Sequence, residues 1–99
     1  MPAYSLDITD DANKDLSHYR AFERKLIVDE IFVQLAAQPD VETNSRKILR
    51  NNPIARWELK IGKYRVFYEI DSDDELVTIV SIGHKEHNEL YIRGKVVQL

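Results

Sequence analysis

The chain has 99 residues, 43% of them hydrophobic, and a formal net charge of −3. That is enough for one core in a single domain spanning 1–99, with no staple needed. The absence of cysteine removes disulfides, thiolate catalysis and cysteine metal sites. MPAYSLDITDD has neither a basic n-region nor a long apolar segment, and no apolar run reaches the length of a membrane span. A soluble cytoplasmic protein without membrane contact is expected.

Tyr4 to Thr9 alternates apolar Tyr4, Leu6 and Ile8 with polar Ser5, Asp7 and Thr9, which predicts a short strand. Thr9, Asp10 and Asp11 supply a helix cap and an acidic first turn. From Ala12 to Gln38 there is no glycine or proline. Ala12, Leu16 and Tyr19 recur at helical spacing, as do Val28, Ile31, Phe32 and Leu35. The apolar stripe changes phase around Tyr19–Phe22, so a helical hairpin bent there is expected rather than one long helix. Gln38-Pro39 ends it.

Residues 39–53 have little periodicity, with a short helical turn expected at Ser45–Arg50 and a breaker at Asn51-Asn52-Pro53. Ala55 to Asp71 reads as a β-hairpin. Gly62-Lys63 fits a two-residue turn with glycine first, where a type II′ turn needs φ > 0. That register sets Ile61 opposite Tyr64, Lys60 opposite Arg65, Leu59 opposite Val66 and Trp57 opposite Tyr68. Alternation then places Trp57, Leu59, Ile61, Tyr64, Val66 and Tyr68 on a core face. Arg56, Glu58, Lys60, Arg65, Phe67 and Glu69 share the open face. Asp71 to Glu75 is a polar turn. Leu76 to Ile82 is a β-branched run expected to form a central strand covered on both faces and ended by Gly83. A short helix over Lys85–Tyr91 and an extended end complete the reading. The order is β-α-α-β-β-β, an α+β fold with a small antiparallel sheet and a helical hairpin packed on one face.

The charge is uneven. Residues 1–45 carry a net −5 and residues 46–99 a net +2. Between Arg46 and Arg65 seven cations stand against the single acid Glu58. Such a patch attracts phosphate even on an acidic protein, although a solvated surface is the commoner meaning of a charge run. Like charges set opposite each other, as Lys60 and Arg65 are, cost about 0.2–1 kcal/mol. A chain that keeps them there is suited to hold an anion. Phe67 is equally compatible with stacking on a base and with burial under the tail or a neighbouring chain. His84 and His87, i and i+3 with Glu86 and Glu89 nearby, make a metal site conceivable, but no cysteine or HExxH pattern supports one, and neither metal nor cofactor is expected.

WELKIGKYRVFYEID followed by VTIVSIGHKEHNELY resembles the C-terminal half of the RelE/ParE toxin superfamily of type II toxin–antitoxin systems. The resemblance implies a cognate antitoxin as partner, a short, mostly apolar segment of which covers part of the sheet or the helix pair. It leaves open a homodimer or a toxin–antitoxin hetero-oligomer. Members similar to RelE act on the ribosome as mRNA endoribonucleases that inhibit translation, the 2′-hydroxyl attacking its own neighbouring phosphate. By that likeness Lys60, Arg65, Lys85 and Tyr91 occupy catalytic positions. Glu58 stands where the family has a second strand lysine, and Lys85 where it often has arginine. Arg56, Glu58, Lys63, Phe67 and His84 are the expected substrate-binding set. A lysine held among cations approaches use as a general base, which Glu58 opposes unless it takes that role itself. ParE-like members bind DNA gyrase and perform no chemistry. A silent homologue that keeps only the antitoxin surface is the third reading.

Overall fold

A computed structural model describes residues 3–99. The first strand, β1, is Ser5–Ile8, followed by helices α1 (Asp10–Leu16) and α2 (Ala21–Leu35). Thr9 caps α1, its hydroxyl accepting the Ala12 N–H at 3.1 Å, which satisfies one of the orphan donors of the first turn. Between the helices the chain breaks at Ser17–Arg20, at the phase change of the stripe. Glu23 helps start α2 by accepting the Arg20 N–H at 2.9 Å.

Six further strands follow: β2 (Arg46–Ile48), β3 (Trp57–Ile61), β4 (Tyr64–Asp71), β5 (Leu76–Glu86), β6 (Glu89–Ile92) and β7 (Lys95–Val97). The sheet order is β2-β3-β4-β5-β6-β7, with β1 paired to β5. β1 and β6 share the second edge of β5 end to end, β1 facing Leu76–Ile79 and β6 facing His84–Glu86. The β1–β5 pair is parallel and the other pairs are antiparallel. The fold is α+β with the helices on one face, as the pattern predicts.

Three segments depart from the sequence reading. Ser45–Arg50 holds the strand β2, which pairs with β3, in place of a helical turn. The expected helix over Lys85–Tyr91 is instead a hairpin, β5–β6, followed by a second hairpin, β6–β7. His87 and Asn88 (φ 52° and 66°) and Arg93 and Gly94 (φ 51° and 75°) each supply two left-handed residues, the requirement of a type I′ turn. Gly83 does not end β5 but lies inside it. A Cβ there would meet the Tyr91 carbonyl oxygen at 2.4 Å and Ile92 Cγ1 at 2.9 Å. Glycine is what lets the chain from β6 cross closely over β5.

The main core lies between helices and sheet. Ala12, Leu16, Ile27, Ile31 and Leu35 pack on Trp57, Leu59, Ile61, Tyr64, Val66, Tyr68, Val77, Ile79 and Ile82. A smaller cluster on the other face joins Ala55, Phe67 and Leu90, with Leu49, Ile54, Val80, Ile92 and Val97 around them. α2 is apolar on its outer side too, where Phe22 (67% exposed), Leu26, Phe32 and Val33 (70%) face outward. Ile27 belongs to the core, so the exposed stripe runs through Phe22 and Leu26 without it. No helix among the described residues is long and apolar enough to cross a membrane.

A buried carboxylate ties the layers together. Asp15 on α1 is 1% exposed. It accepts the Ser81 hydroxyl at 3.0 Å, the Ile82 N–H at 2.9 Å and Arg93 Nε. Helix, central strand and tail turn thus meet on one side chain. Removing it leaves the buried Ile82 N–H without its partner, while Arg93, 38% exposed, keeps Asp11 at 3.4 Å. Asp15→Ala is expected to cost about 1–3 kcal/mol in urea denaturation, a large share of the margin of a domain this small. A loss below about 1 kcal/mol would mean that water replaces the carboxylate freely.

Candidate nucleic-acid interface

The β3–β4 hairpin has the register read from its turn. Ile61 pairs with Tyr64, Lys60 with Arg65, Glu58 with Phe67 and Trp57 with Tyr68. Only Gly62 of the two turn residues has positive φ, at 55°, as type II′ requires. Arg65 in turn faces Gly83 on β5. Lys85, two residues further along the same strand, returns to that side and pairs with Leu90. Lys60, Arg65 and Lys85 therefore share the face away from the helices, around the small footprint of Gly83.

None of the three makes an ion pair among the described residues, nor do Arg56 and Lys63. Arg65 Nη1 donates to the carbonyls of Gly62 at 2.8 Å and Tyr64 at 2.9 Å. The guanidinium is held over the turn, and Nε and Nη2 make no hydrogen bond among the described residues. A fork fixed in this way, with donors in reserve, suits a bidentate oxyanion. Lys63 at the tip places its Nζ 5.5 Å from the centre of the Tyr64 ring, a cation–π contact. Glu58, 5% exposed, stands on the same face as Lys60, between Lys47 and Phe67. Arg56 is exposed just before β3, its backbone N–H donating to Glu69 at 3.1 Å.

Phe67 lies on the expected face but is 0% exposed. Leu90 and Ala55 cover it, so no base can stack on it while the tail hairpin is in place. Tyr91 and His84 lie on the helix side, away from the cations. Register pairs Tyr91 with His84 and His84 with Tyr64, and Tyr64 belongs to the helix-side core. The family likeness groups Tyr91 with Lys60 and Arg65, whereas the expected helix over Lys85–Tyr91 leaves its side undefined. The strand β6 fixes its parity instead.

Tyr91 stacks on His84 with centroids 5.5 Å apart and planes 13° from parallel. Tyr19, from the bend between the helices, meets both Tyr64 and His84 edge to face at 5.6 Å. Its hydroxyl lies 2.7 Å from His84 Nδ1, and His84 Nε2 lies 3.3 Å from a Glu86 carboxylate oxygen. Burial and the nearby Asp15 carboxylate push the Tyr19 phenol above its ordinary range. Burial, with the Glu23 carboxylate beside it, raises Tyr64 to about 12. The Tyr64 hydroxyl donates to Glu23 at 2.7 Å, and this bond is the main reason the Glu23 carboxyl lies below its usual range. Both phenols keep their protons at neutral pH and are not bases. Sequence reading missed the network because it joins residues far apart along the chain. Asp15 was missed too, although an acid inside the stripe of Ala12, Leu16 and Tyr19 is a visible signal. No group of three His, Asp or Glu side chains that could hold a metal ion exists among the described residues.

A helical hairpin on one face of the sheet and a group of cations without ion pairs among the described residues on the other define a small α+β protein. Residues 6–89 match the family model described as the ParE toxin of a type II toxin–antitoxin system, parDE. The chain belongs to that family, within the RelE/ParE toxins. A search of curated protein sequences gives no match. Among solved structures, the fold is similar to the RelBE2 toxin–antitoxin complex of Mycobacterium tuberculosis, with TM-score 0.75 and 26% identity over 86% of this chain and 94% of that one. The archaeal RelE–RelB complex of Pyrococcus horikoshii gives TM-score 0.68 and 17% identity over 88% and 99%. The isolated E. coli RelE toxin gives 0.61 and 24% over 86% and 87%.

Tyr64→Phe tests the network. The Glu23 carboxyl should titrate at higher pH in the variant, readable by NMR of its side chain. A carboxyl whose native pKa is depressed stabilises the fold above its unfolded pKa, and that gain disappears as pH falls through the native value. The variant should therefore be less stable than the parent at neutral pH and converge on it in acid. A Glu23 titration that does not move removes the Tyr64 bond as its cause.

Proposed function

We propose that this toxin is a ribosome-dependent mRNA endoribonuclease that inhibits translation and is held inactive by a cognate antitoxin. The observation that carries this reading is the grouping of Lys60, Arg65 and Lys85 on one face around Gly83, with no acid paired to them among the described residues. Cleavage by an internal 2′-hydroxyl forms a 2′-O–P bond and breaks the bond to the 5′-oxygen. Negative charge builds on the non-bridging oxygens, and two protons must move. Arg65 presents paired donors to those oxygens. Glu58 and Lys60, on one strand and one face, stand together for the attacking hydroxyl, and the Lys85 ammonium for the leaving oxygen. Tyr91 takes no part in the chemistry in this arrangement. The similar RelBE2 structure is a toxin–antitoxin complex, and the archaeal one is a RelE–RelB complex. The apolar outer side of α2 supports a comparable partner here.

Gyrase inhibition without chemistry is the second reading. Tyr91 on the opposite face from the cations favours it, as does the match to a ParE model.

The two separate on induction in cells, with mapping of message 3′ ends and of plasmid supercoiling. The ribonuclease gives in-frame cuts in ribosome-bound message. Arg65→Ala should lower cleavage by about 10² to 10³ while costing under about 1.5 kcal/mol of stability, the worth of its two hydrogen bonds to the turn. Tyr91→Phe should leave cleavage intact. Glu58→Lys should raise activity if Glu58 merely weakens the site, and abolish it if Glu58 is the base. Arg65→Ala that stays fully toxic, or supercoiling defects with uncut message, moves the assignment to gyrase.

A further inference from the structure

A cavity of about 530 Å³ opens where β2 and β3 end, between residues 48–56 and Glu69. It lies beyond the three cations, and the proposed cleavage does not use it. The hydrogen bond from Leu49 N to the Arg56 carbonyl, 2.8 Å, is the last rung there. Arg50 and Arg56 both line the cavity, exposed and in no ion pair among the described residues. The lining is largely polar, with Leu49, Pro53 and Ile54 as its apolar side chains. The loop is fixed from within. Asn52 accepts the Ile54 and Ala55 N–H groups and donates to the Arg50 and Ala55 carbonyls. That uses both faces of its amide and makes the cavity largely pre-formed. Asn51, exposed on the wall, keeps its amide available. The acid on the wall, Glu69, turns a carboxylate oxygen to the Arg56 N–H.

We propose that this cavity binds one nucleotide of a single-stranded RNA, the phosphate on Arg50 and Arg56, the base against Leu49, Pro53 and Ile54. The inference rests on the ribonuclease reading and extends it to substrate lying outside the cleaved bond. Two arginines in one lining suit a phosphate, and the apolar side chains with the free Asn51 amide suit the face and edge of an unstacked base. Arg56 is four residues before Lys60 on β3, roughly 13 Å along the strand, a span that a few nucleotides cover. Lys47, beside Glu58 on the same face, lies between them. The cations thus form one track, from the cavity to Arg65.

The test uses the whole chain and ligands that cannot be cleaved. Uridine 5′-monophosphate and adenosine 5′-monophosphate are titrated against the amide NMR spectrum, with inorganic phosphate as control. A labelled 2′-O-methyl hexanucleotide is followed by fluorescence anisotropy at several salt concentrations, with the parent and with the R50A/R56A double variant. A nucleotide should shift the amides of residues 49–56 at concentrations where inorganic phosphate does not. The double variant should bind the hexanucleotide roughly tenfold more weakly and lose about 1 from the salt slope, one phosphate contact. Unchanged hexanucleotide affinity, or equal shifts from inorganic phosphate, overturns the proposal. The hexanucleotide cannot be cut, so the two readings fail separately. Intact cellular message together with weakened binding in the variant removes the ribonuclease and leaves the cavity standing.

Discussion

The fold depends on one buried carboxylate. Asp15 is almost fully removed from water and accepts hydrogen bonds from β5 and from the turn after β6. A charge in such a place is tolerable only when each lone-pair direction has a partner. The arrangement therefore fixes three elements at once. α1 must sit over the middle of β5. The Ser81–Ile82 backbone must turn its N–H toward the helix. The tail must return far enough for Arg93 to reach it. An apolar residue at this position would pack but would specify none of these placements.

The tail in turn decides what the cationic face is. β6 pairs with the end of β5 and then crosses over Gly83, dropping Leu90 onto Phe67. This closes the apolar part of the open face and leaves the charged part bare. The sheet thus has two dry faces of unequal size, the larger under the helices and the smaller under the tail and the 49–55 loop. Lys60, Arg65 and Lys85 stand at the rim of the smaller one. Their charges are near apolar surface but not under it, so they remain hydrated, and none is in an ion pair among the described residues. Positive potential there is intrinsic to the strand pairing and does not need a basic protein overall.

Much of this was legible in the sequence, for identifiable reasons. The β3–β4 register follows from Gly62 and strict alternation, and it alone places Lys60 beside Arg65. The break between the helices follows from the phase of the apolar stripe, and the α1 start from Thr9. The resemblance in the hairpin and the strand after it gave the family. What was not legible depends on contacts distant in the chain. β2 has three residues, too few to show a period, and exists because β3 offers it an edge. Lys85–Tyr91 has the composition of a helical turn. The pull of Leu90 toward Phe67, with left-handed His87 and Asn88, makes it a hairpin. That change moves Tyr91 to the other side. Alternation shows which way Phe67 points, but not that another segment lies over it.

The parallel pairing of β1 with β5 has a consequence for how the protein is made. Among the described residues β1 pairs with no other strand, and about seventy residues separate the partners. Asp15 waits still longer for Arg93. During synthesis the helices can form early, but the first strand stays without its mate until β5 has emerged, and the buried carboxylate without its counter-charge until the turn after β6 has followed. Contacts of such sequence separation form late. The cationic rim, which needs β3, β4 and β5 aligned, is thus assembled only when most of the chain is free of the machine that makes it. A newly made copy is kept from its finished shape by topology alone for most of its translation.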